Sequence, residues 1–577
     1  MPIGRNVLGL AAPLNKRGGQ WFEYGKIRYV FFGKRGGAYM VTLRSQNLFL
    51  FCLVVVFCLA TCAGDDDDND DNDAVDDDTS DDDTSDDDDG GDDDDTFDDD
   101  DTSDDDDTTP PEPYDPPWLT VLPGKDAAIL DELGRQVLLR GANFNHLGDY
   151  FVTDPSLPTV AELTDEDWDD VAALGHNVVR LVTTWSAWEP ERDEIDLEYL
   201  DRVRDAVAAA KARDLYVVID MHQDAWSKFV FTPANETCPE GTSHQRGWDG
   251  APLWATFTDD QPTCTPGRRE DSPAVMRAWE NFYADRDGVR DELVELWAFI
   301  AAEFAFESAV AGYDLLNEPG NGDSLIRTFN GLTQFTRDAI AAIRATEASL
   351  DAPEHIIFFE QGVVGLPVAF DLGDDNLVYA PHNYAEAIGP SFDGLLELMF
   401  IYYNIMRGLY QAPLWVGEYN KFSDPASNDA WMTRYAELED HWLQDGGAWW
   451  QWEQECGDPH NAMWPPTPEW IEQQQETCGD ARFEIRACLD RAYPRAVPGR
   501  LTSLEAVPCD GHLSLTGTTA QAGEADLWIP SASATEPTVA GAGIQATQFT
   551  PVDGGWRVFV TVDGDYSIEV AAAENDR

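Results

Sequence analysis

The chain has 577 residues, with 110 Asp and Glu against 37 Lys and Arg and a formal net charge of −73. That balance argues against a nucleic-acid partner, because phosphate binding needs clustered Lys and Arg. The length exceeds one ordinary domain, and an apolar fraction of 43% with 20 Trp is enough to build a sizeable core.

Leu48 to Ala60 is an apolar run of signal-peptide length, too short to read as a membrane span. Met40-Val41-Thr42-Leu43-Arg44 supplies a short basic flank, which makes Met40 the expected true start. The run closes on Leu59-Ala60-Thr61-Cys62, which resembles a bacterial lipobox, whose Cys is lipidated and becomes the mature N-terminus. Residues 1–62 are therefore expected to direct export and to anchor the protein to a bacterial membrane through Cys62, in the periplasm or at the cell surface. Ordinary secretion is the alternative. Residues 63–117 form an Asp-rich stretch with 29 Asp between Asp65 and Asp107. With almost nothing apolar to bury it is expected to be a disordered tether, extended by like-charge repulsion. No fixed period with a Gly turn and a terminal Glu marks it as a calcium repeat.

From residue 118 the pattern alternates. Val137–Asn143, Asn177–Val182, Leu215–His222, Gly312–Asn317, His355–Glu360, Leu377–His382, Leu414–Glu418 and Gly447–Trp452 read as eight apolar strands. Helical periodicity falls over Leu163–Leu174, Leu197–Arg213, Gly288–Phe304, Leu325–Ile343, Phe392–Met406 and Trp431–Leu443. Gln223 to about Asp287 reads as a long irregular insert. Near-continuous apolar strands fit parallel pairing with both faces covered, and eight such units predict a (β/α)8 TIM barrel over 118–492. After Tyr493, short Val-, Leu- and Thr-containing runs separated by Gly, Pro and Asp predict a C-terminal β-sandwich over 493–577. Six cysteines follow the signal region; Cys238 with Cys264 and Cys456 with Cys478 are the sequence-near pairs, although spacing leaves connectivity open. No CxxC pair or Cys/His spacing suggests zinc, and no metal, cofactor or obligate protein partner is expected.

In a barrel of this kind the working residues sit at the C-terminal strand ends. There the chain places Asn143, Arg180, His222, Asp224, Asn317, Glu318, His382, Tyr384, Glu418 and Trp452. Asn317-Glu318-Pro319 closes strand four and Glu418 closes strand seven, across the barrel mouth. Two carboxylates facing each other about 5 Å apart suit a retaining glycosidase. Glu418 would attack the anomeric carbon, kept ionised by Arg180 and bonded by Tyr384. Glu318 would act as acid and then base, with its pKa raised by the charge on Glu418. Asn317 would bind the sugar 2-hydroxyl, and Trp452 would stack on a sugar ring.

These residues resemble glycoside hydrolase family 5. The matching pieces are Asn177-Val178-Val179-Arg180-Leu181, His222, Leu316-Asn317-Glu318-Pro319, His382-Asn383-Tyr384 and Val416-Gly417-Glu418, spread over about 300 residues. Asp220-Met221-His222-Gln223-Asp224, Asp249-Gly250-Ala251-Pro252-Leu253-Trp254, Ala278-Trp279-Glu280-Asn281-Phe282-Tyr283 and Arg491-Ala492-Tyr493-Pro494-Arg495 are similar to motifs of the endoglycoceramidase branch. That resemblance implies cleavage of the β-glycosidic bond between the oligosaccharide and the ceramide of a glycosphingolipid, with His222 and Asp224 contacting the first sugar. Phe229, Val230, Phe231, Leu253, Trp254, Leu398, Met399, Phe400 and Ile401 would be candidates for a lipid-accepting strip. The rival readings are another family 5 β-glycosidase, such as a β-glucosidase or an endo-β-glucanase, and a non-catalytic glycan-binding surface lipoprotein, which has no need of two glutamates.

Overall fold

The computed structural model describes residues 115–572 apart from 364, 388–391, 393, 422–424, 454, 456, 461–488 and 508–510, together with 19–23, 26–32 and 38–44. Leu48–Ala60, Cys62, residues 63–114 of the Asp-rich tether, Cys456, Cys478, Cys488 and Cys509 lie outside the described residues. The N-terminal unit holds a three-stranded antiparallel sheet, β1 (Gly19–Glu23), β2 (Lys26–Phe32) and β3 (Ala38–Arg44).

The second unit begins with β4 (Leu119–Leu122), β5 (Ala128–Asp131) and β6 (Arg135–Val137). The barrel strands follow: β7 (Leu139–Phe144), β8 (Val178–Thr184), β9 (Tyr216–His222), β10 (Val310–Asp314), β11 (Ile356–Phe359), β12 (Leu377–Tyr379), β13 (His382–Asn383), β14 (Val416–Tyr419) and β15 (Gly446–Trp449). Each pairs in parallel with its neighbour, in the order β12-β11-β10-β9-β8-β7-β15-β14-β13. β12 and β13 are two halves of the sixth strand, and a parallel bridge from Tyr379 to Leu414 closes the ring. The expected eightfold barrel therefore holds. Every residue of β8 and β9 is buried, as strands covered on both faces require.

Two expectations change. Residues 223–287 are not wholly irregular: Pro273–Tyr283 is an α-helix with Ser272 as N-cap and Pro at its first turn. It buries Ala274, Val275, Ala278, Trp279, Phe282 and Tyr283, a helical spacing that packs onto the barrel core. The same insert is stapled by a disulfide between Cys238 and Cys264.

The second change concerns the boundary between the barrel segment 118–492 and the C-terminal domain. Residues 119–137 were expected within the barrel, but β6 pairs antiparallel with β16 (Tyr493–Pro498). The antiparallel sheet runs β17-β18-β21-β19-β16-β6-β5-β4, with β17 (Arg500–Ala506), β18 (His512–Thr518), β19 (Gly523–Pro530), β20 (Thr538–Val552) and β21 (Gly555–Ala571); β20 pairs β21 off this path. The physical reason is the alternation of the hairpin. Leu119, Val121, Ile129 and Val137 join the apolar cluster of Leu139, Val178, Val218, Ile356, Val378 and Trp415 inside the barrel. These residues close the N-terminal end of the barrel while the hairpin edge extends the C-terminal sheet. Leu504, Leu513, Leu515, Leu527, Ile529, Val558, Val560 and Ile568 form that domain's own core.

Candidate active site

Charged residues inside otherwise apolar strands need buried partners, and the barrel mouth supplies them around Arg180. Its guanidinium is fully buried. Nε donates to Asp314 Oδ2 at 2.9 Å, Nη1 to Glu418 Oε1 at 3.0 Å and to Asn143 Oδ1 at 3.1 Å. Nη2 donates to Asp220 Oδ1 at 2.8 Å and to Asn317 Oδ1 at 3.0 Å, with Glu360 Oε1 at 3.4 Å. Burial opposes the charge, but Asp220, Asp314, Glu418 and Glu360 outweigh it and hold Arg180 above its ordinary pKa. Burial in turn pushes Asp220 up to about 7, Asp314 up to about 6 and Glu360 up to about 8. Acids outnumber cations here, so protons stay on some of them.

Glu418 is almost fully buried, and Tyr384 donates its hydroxyl to Oε2 at 2.7 Å. His382 presents Nδ1 to Glu318 Oε1 at 3.0 Å and to Glu418 Oε2 at 3.4 Å, while Nε2 lies at ion-pair distance, 3.0 Å, from Glu360. One carboxylate oxygen each of Glu318 and Glu418 lie within 4.8 Å of each other and of the imidazole. Burial opposes an imidazolium, yet the glutamates around it lift His382 well above its usual pKa, by charge where they are ionised and by the hydrogen bonds of Glu318 and Glu360.

Glu318 differs from the expectation. Burial favours its neutral form, but the bond and charge of His382 outweigh it, with Arg269 adding to them, and its pKa lies below the usual carboxylate value. Of the neighbouring charges, Asp224 is the one that opposes them. The contact between His382 Nδ1 and Glu318 Oε1 is short enough for the two groups to share a proton. Glu318 has a backbone φ of +38°, a region an L-residue adopts only when its surroundings hold it there. Gln223 Nε2 donates to its carbonyl at 2.9 Å, and its own N–H donates to Glu360 Oε2 at 3.2 Å.

Asn317 accepts from Arg180 and donates to the Gln223 carbonyl at 3.0 Å. His222 is neutral, pushed down to about 3 by burial. Its Nδ1 shares a hydrogen bond of 2.7 Å with Asp220 Oδ2. Its ring stacks on Trp450 at 5.2 Å and 11°. Asp224 is tied to Arg269 and to His460. Trp452 is not brought to the site. β15 ends at Trp449, strand alternation stops there, and Trp452 turns into the core beside Phe144, donating to Asp167 Oδ1 at 3.1 Å. The aromatic face against His222 belongs to Trp450. Of the expected lipid strip, Phe229, Phe231 and Leu253 are exposed, whereas Val230 and Phe400 are core.

Sequence reasoning passed over Glu360, Arg269 and His460. Glu360 carried a usable signal, a carboxylate at the end of the fifth apolar strand. Arg269 and His460 lie in segments without periodicity.

An eight-stranded parallel barrel with two glutamates at the ends of strands four and seven defines a glycosidase architecture, and the family model for cellulase, glycosyl hydrolase family 5, matches residues 134–455. The chain belongs to that family. Within it, the chain is similar to a crystal structure of an endogalactoceramidase, with 39% identity, a TM-score of 0.70, and coverage of 78% of this chain and 99% of the other. It is also similar to endoglycoceramidase I of Rhodococcus hoagii, 30% identical over 46% of this chain and 53% of the relative. An endoglycoceramidase of Hydra vulgaris is 28% identical over 40% of this chain and 47% of the relative. The chain thus spans about half the length of these last two relatives. The likenesses support the endoglycoceramidase branch of the family.

Proposed function

We propose that the chain is a retaining glycosidase that cleaves the β-glycosidic bond between the oligosaccharide and the ceramide of glycosphingolipids by double displacement. The observation that carries the chemistry is that one oxygen of Glu318 and one of Glu418 lie within 4.8 Å of each other, which supports the shorter carboxyl separation of a retaining enzyme. Glu418, bonded by Arg180 and Tyr384, attacks the anomeric carbon. Glu318 passes a proton, shared with His382 Nδ1, to the leaving ceramide oxygen, then takes one from water as the glycosyl-enzyme is hydrolysed. The substrate class rests on the similarity to endogalactoceramidase and endoglycoceramidases. Incubation with a glycosylceramide, a ganglioside and a cellodextrin tests it: an intact oligosaccharide released from ceramide is expected, and cleavage of the cellodextrin alone would assign another family 5 activity. Glu318→Gln and Glu418→Gln are each expected to lose turnover with the fold intact. The released sugar is expected to keep the β anomer by NMR, and net inversion would refute the double displacement.

We further propose that Cys62 is lipidated and the Asp-rich stretch spaces the barrel from a membrane. Metabolic labelling with palmitate checks this, and label retained in Cys62→Ser would refute it.

A further inference from the structure

The insert after β9 brings to Glu318 a cation that double displacement does not require. Arg269 forks onto Asp224, with Nη1 2.6 Å from Oδ2, and its Nη2 lies 3.6 Å from Glu318 Oε2. The guanidinium face rests on Trp248 at 4.4 Å, and Nε bonds Glu270 at 2.6 Å. Asp224 Oδ2 also contacts His460 Nε2 at 2.7 Å, and His460 Nδ1 contacts Asp458 Oδ1 at 2.7 Å. The other oxygen of Asp458 accepts from Asn145 at 2.9 Å and from Gln451 at 3.2 Å. Charges of alternating sign therefore run Asp458, His460, Asp224, Arg269, Glu318, from the loop after β15 through the insert to the end of strand four. All five are largely removed from water, where such contacts are strong.

We propose that Arg269 is a positioning residue that favours the ionised form of Glu318 between its two proton transfers, and that the Asp458–His460–Asp224 chain holds the guanidinium in place for this. The proposal rests on reading Glu318 as the acid and base. A cation at this distance keeps Glu318 in the ionised form that receives a proton from water down to a lower pH, and for the same reason depletes the protonated donor form at a lower pH. Among the described residues, the other charged and titratable groups facing Glu318 are His382, Glu418, Glu360, Tyr384, Tyr403 and Asp224. All remain when Arg269 is replaced, so a shift between variants reports the guanidinium.

The test is the pH dependence of wild type, Arg269→Gln, Arg269→Lys and Glu318→Gln, on a glycosylceramide and on a dinitrophenyl β-glycoside whose departure needs no acid. Without the cation the ionised form is less favoured. The alkaline limb of kcat/KM on the glycolipid and the acidic limb of kcat on the aryl substrate are both expected to move up, by about one pH unit in Arg269→Gln. Below the acidic limb that is about a tenfold loss of aryl-glycoside turnover at fixed pH. Arg269→Lys keeps a charge that cannot fork onto Asp224 and reach Glu318 together, so its limbs are expected to move part of the way. That conservative variant carries the test if the Gln variant does not fold. A folded variant that is slower at every pH, with limbs coincident with wild type, overturns the proposal and leaves Arg269 a structural group. If Glu318→Gln keeps wild-type limbs and rates, the acid/base reading fails first and the proposal falls with it.

Discussion

Glu360→Gln isolates the excess of acid around Arg180. Glu360 contacts His382 and Arg180 through Oε1 and accepts the Glu318 N–H through Oε2, and a Gln of the same shape keeps an acceptor there. Burial lifts the Glu360 pKa from 4.5 to about 8 in the folded protein. Between those values the folded chain holds a proton that the unfolded chain has released. Its contribution to stability is complete below about pH 4.5, declines as pH rises, and is gone above the folded pKa. The slope is at most about 1.4 kcal/mol per pH unit for one proton. Gln cannot ionise and lacks this slope. The stability of Glu360→Gln minus that of wild type is therefore expected to rise by about 1 kcal/mol per unit between pH 5 and pH 7.5. Urea unfolding followed by Trp fluorescence at half-unit intervals measures the difference. Parallel profiles, or a difference that falls with pH, would refute the argument that burial keeps Glu360 protonated.

Tyr384→Phe removes a charge-assisted bond to Glu418 and is expected to lower kcat/KM by about 10- to 150-fold, from the loss of about 1.5–3 kcal/mol; steady-state kinetics against folded controls decides it. Trp450→Ala and Trp452→Ala are expected to separate. The first should raise KM for oligosaccharide substrates, while the second should cost about 3–5 kcal/mol of stability as a core truncation and leave KM unchanged. Joint replacement of Cys238 and Cys264 by Ala opens a link across 26 residues. It is expected to cost about 3.5 kcal/mol on the chain-entropy account, read as a drop in unfolding midpoint that reducing agent reproduces in wild type.

Much of the barrel was legible because parallel strands are buried on both faces and so appear as unbroken apolar runs. Arg180, inside an apolar run, and Asn317, Glu318, His382 and Glu418, at or just past the ends of such runs, were legible because polar residues there stand out. The helix at Pro273–Tyr283 had its signals, a Ser cap and a Pro in the first turn, inside a segment whose other residues have no period. The role expected of Trp452 failed because alternation was extended past Trp449, where the strand stops.

The residues of the chain by themselves determined that a charge at each strand mouth would need partners, and which strands would carry the two glutamates. Local periodicity and composition suffice for that, since they are properties of neighbouring residues. Only the tertiary structure decided which partners those are. His382 reaches three glutamates, Arg269 arrives from an aperiodic insert and His460 from the loop after the last strand. The charge state of Glu318 depends on cations 49 residues before it and 64 after it, Arg269 and His382. Electrostatic energy is set by distance in space and by the exclusion of water, and neither is written in the order of residues along the chain.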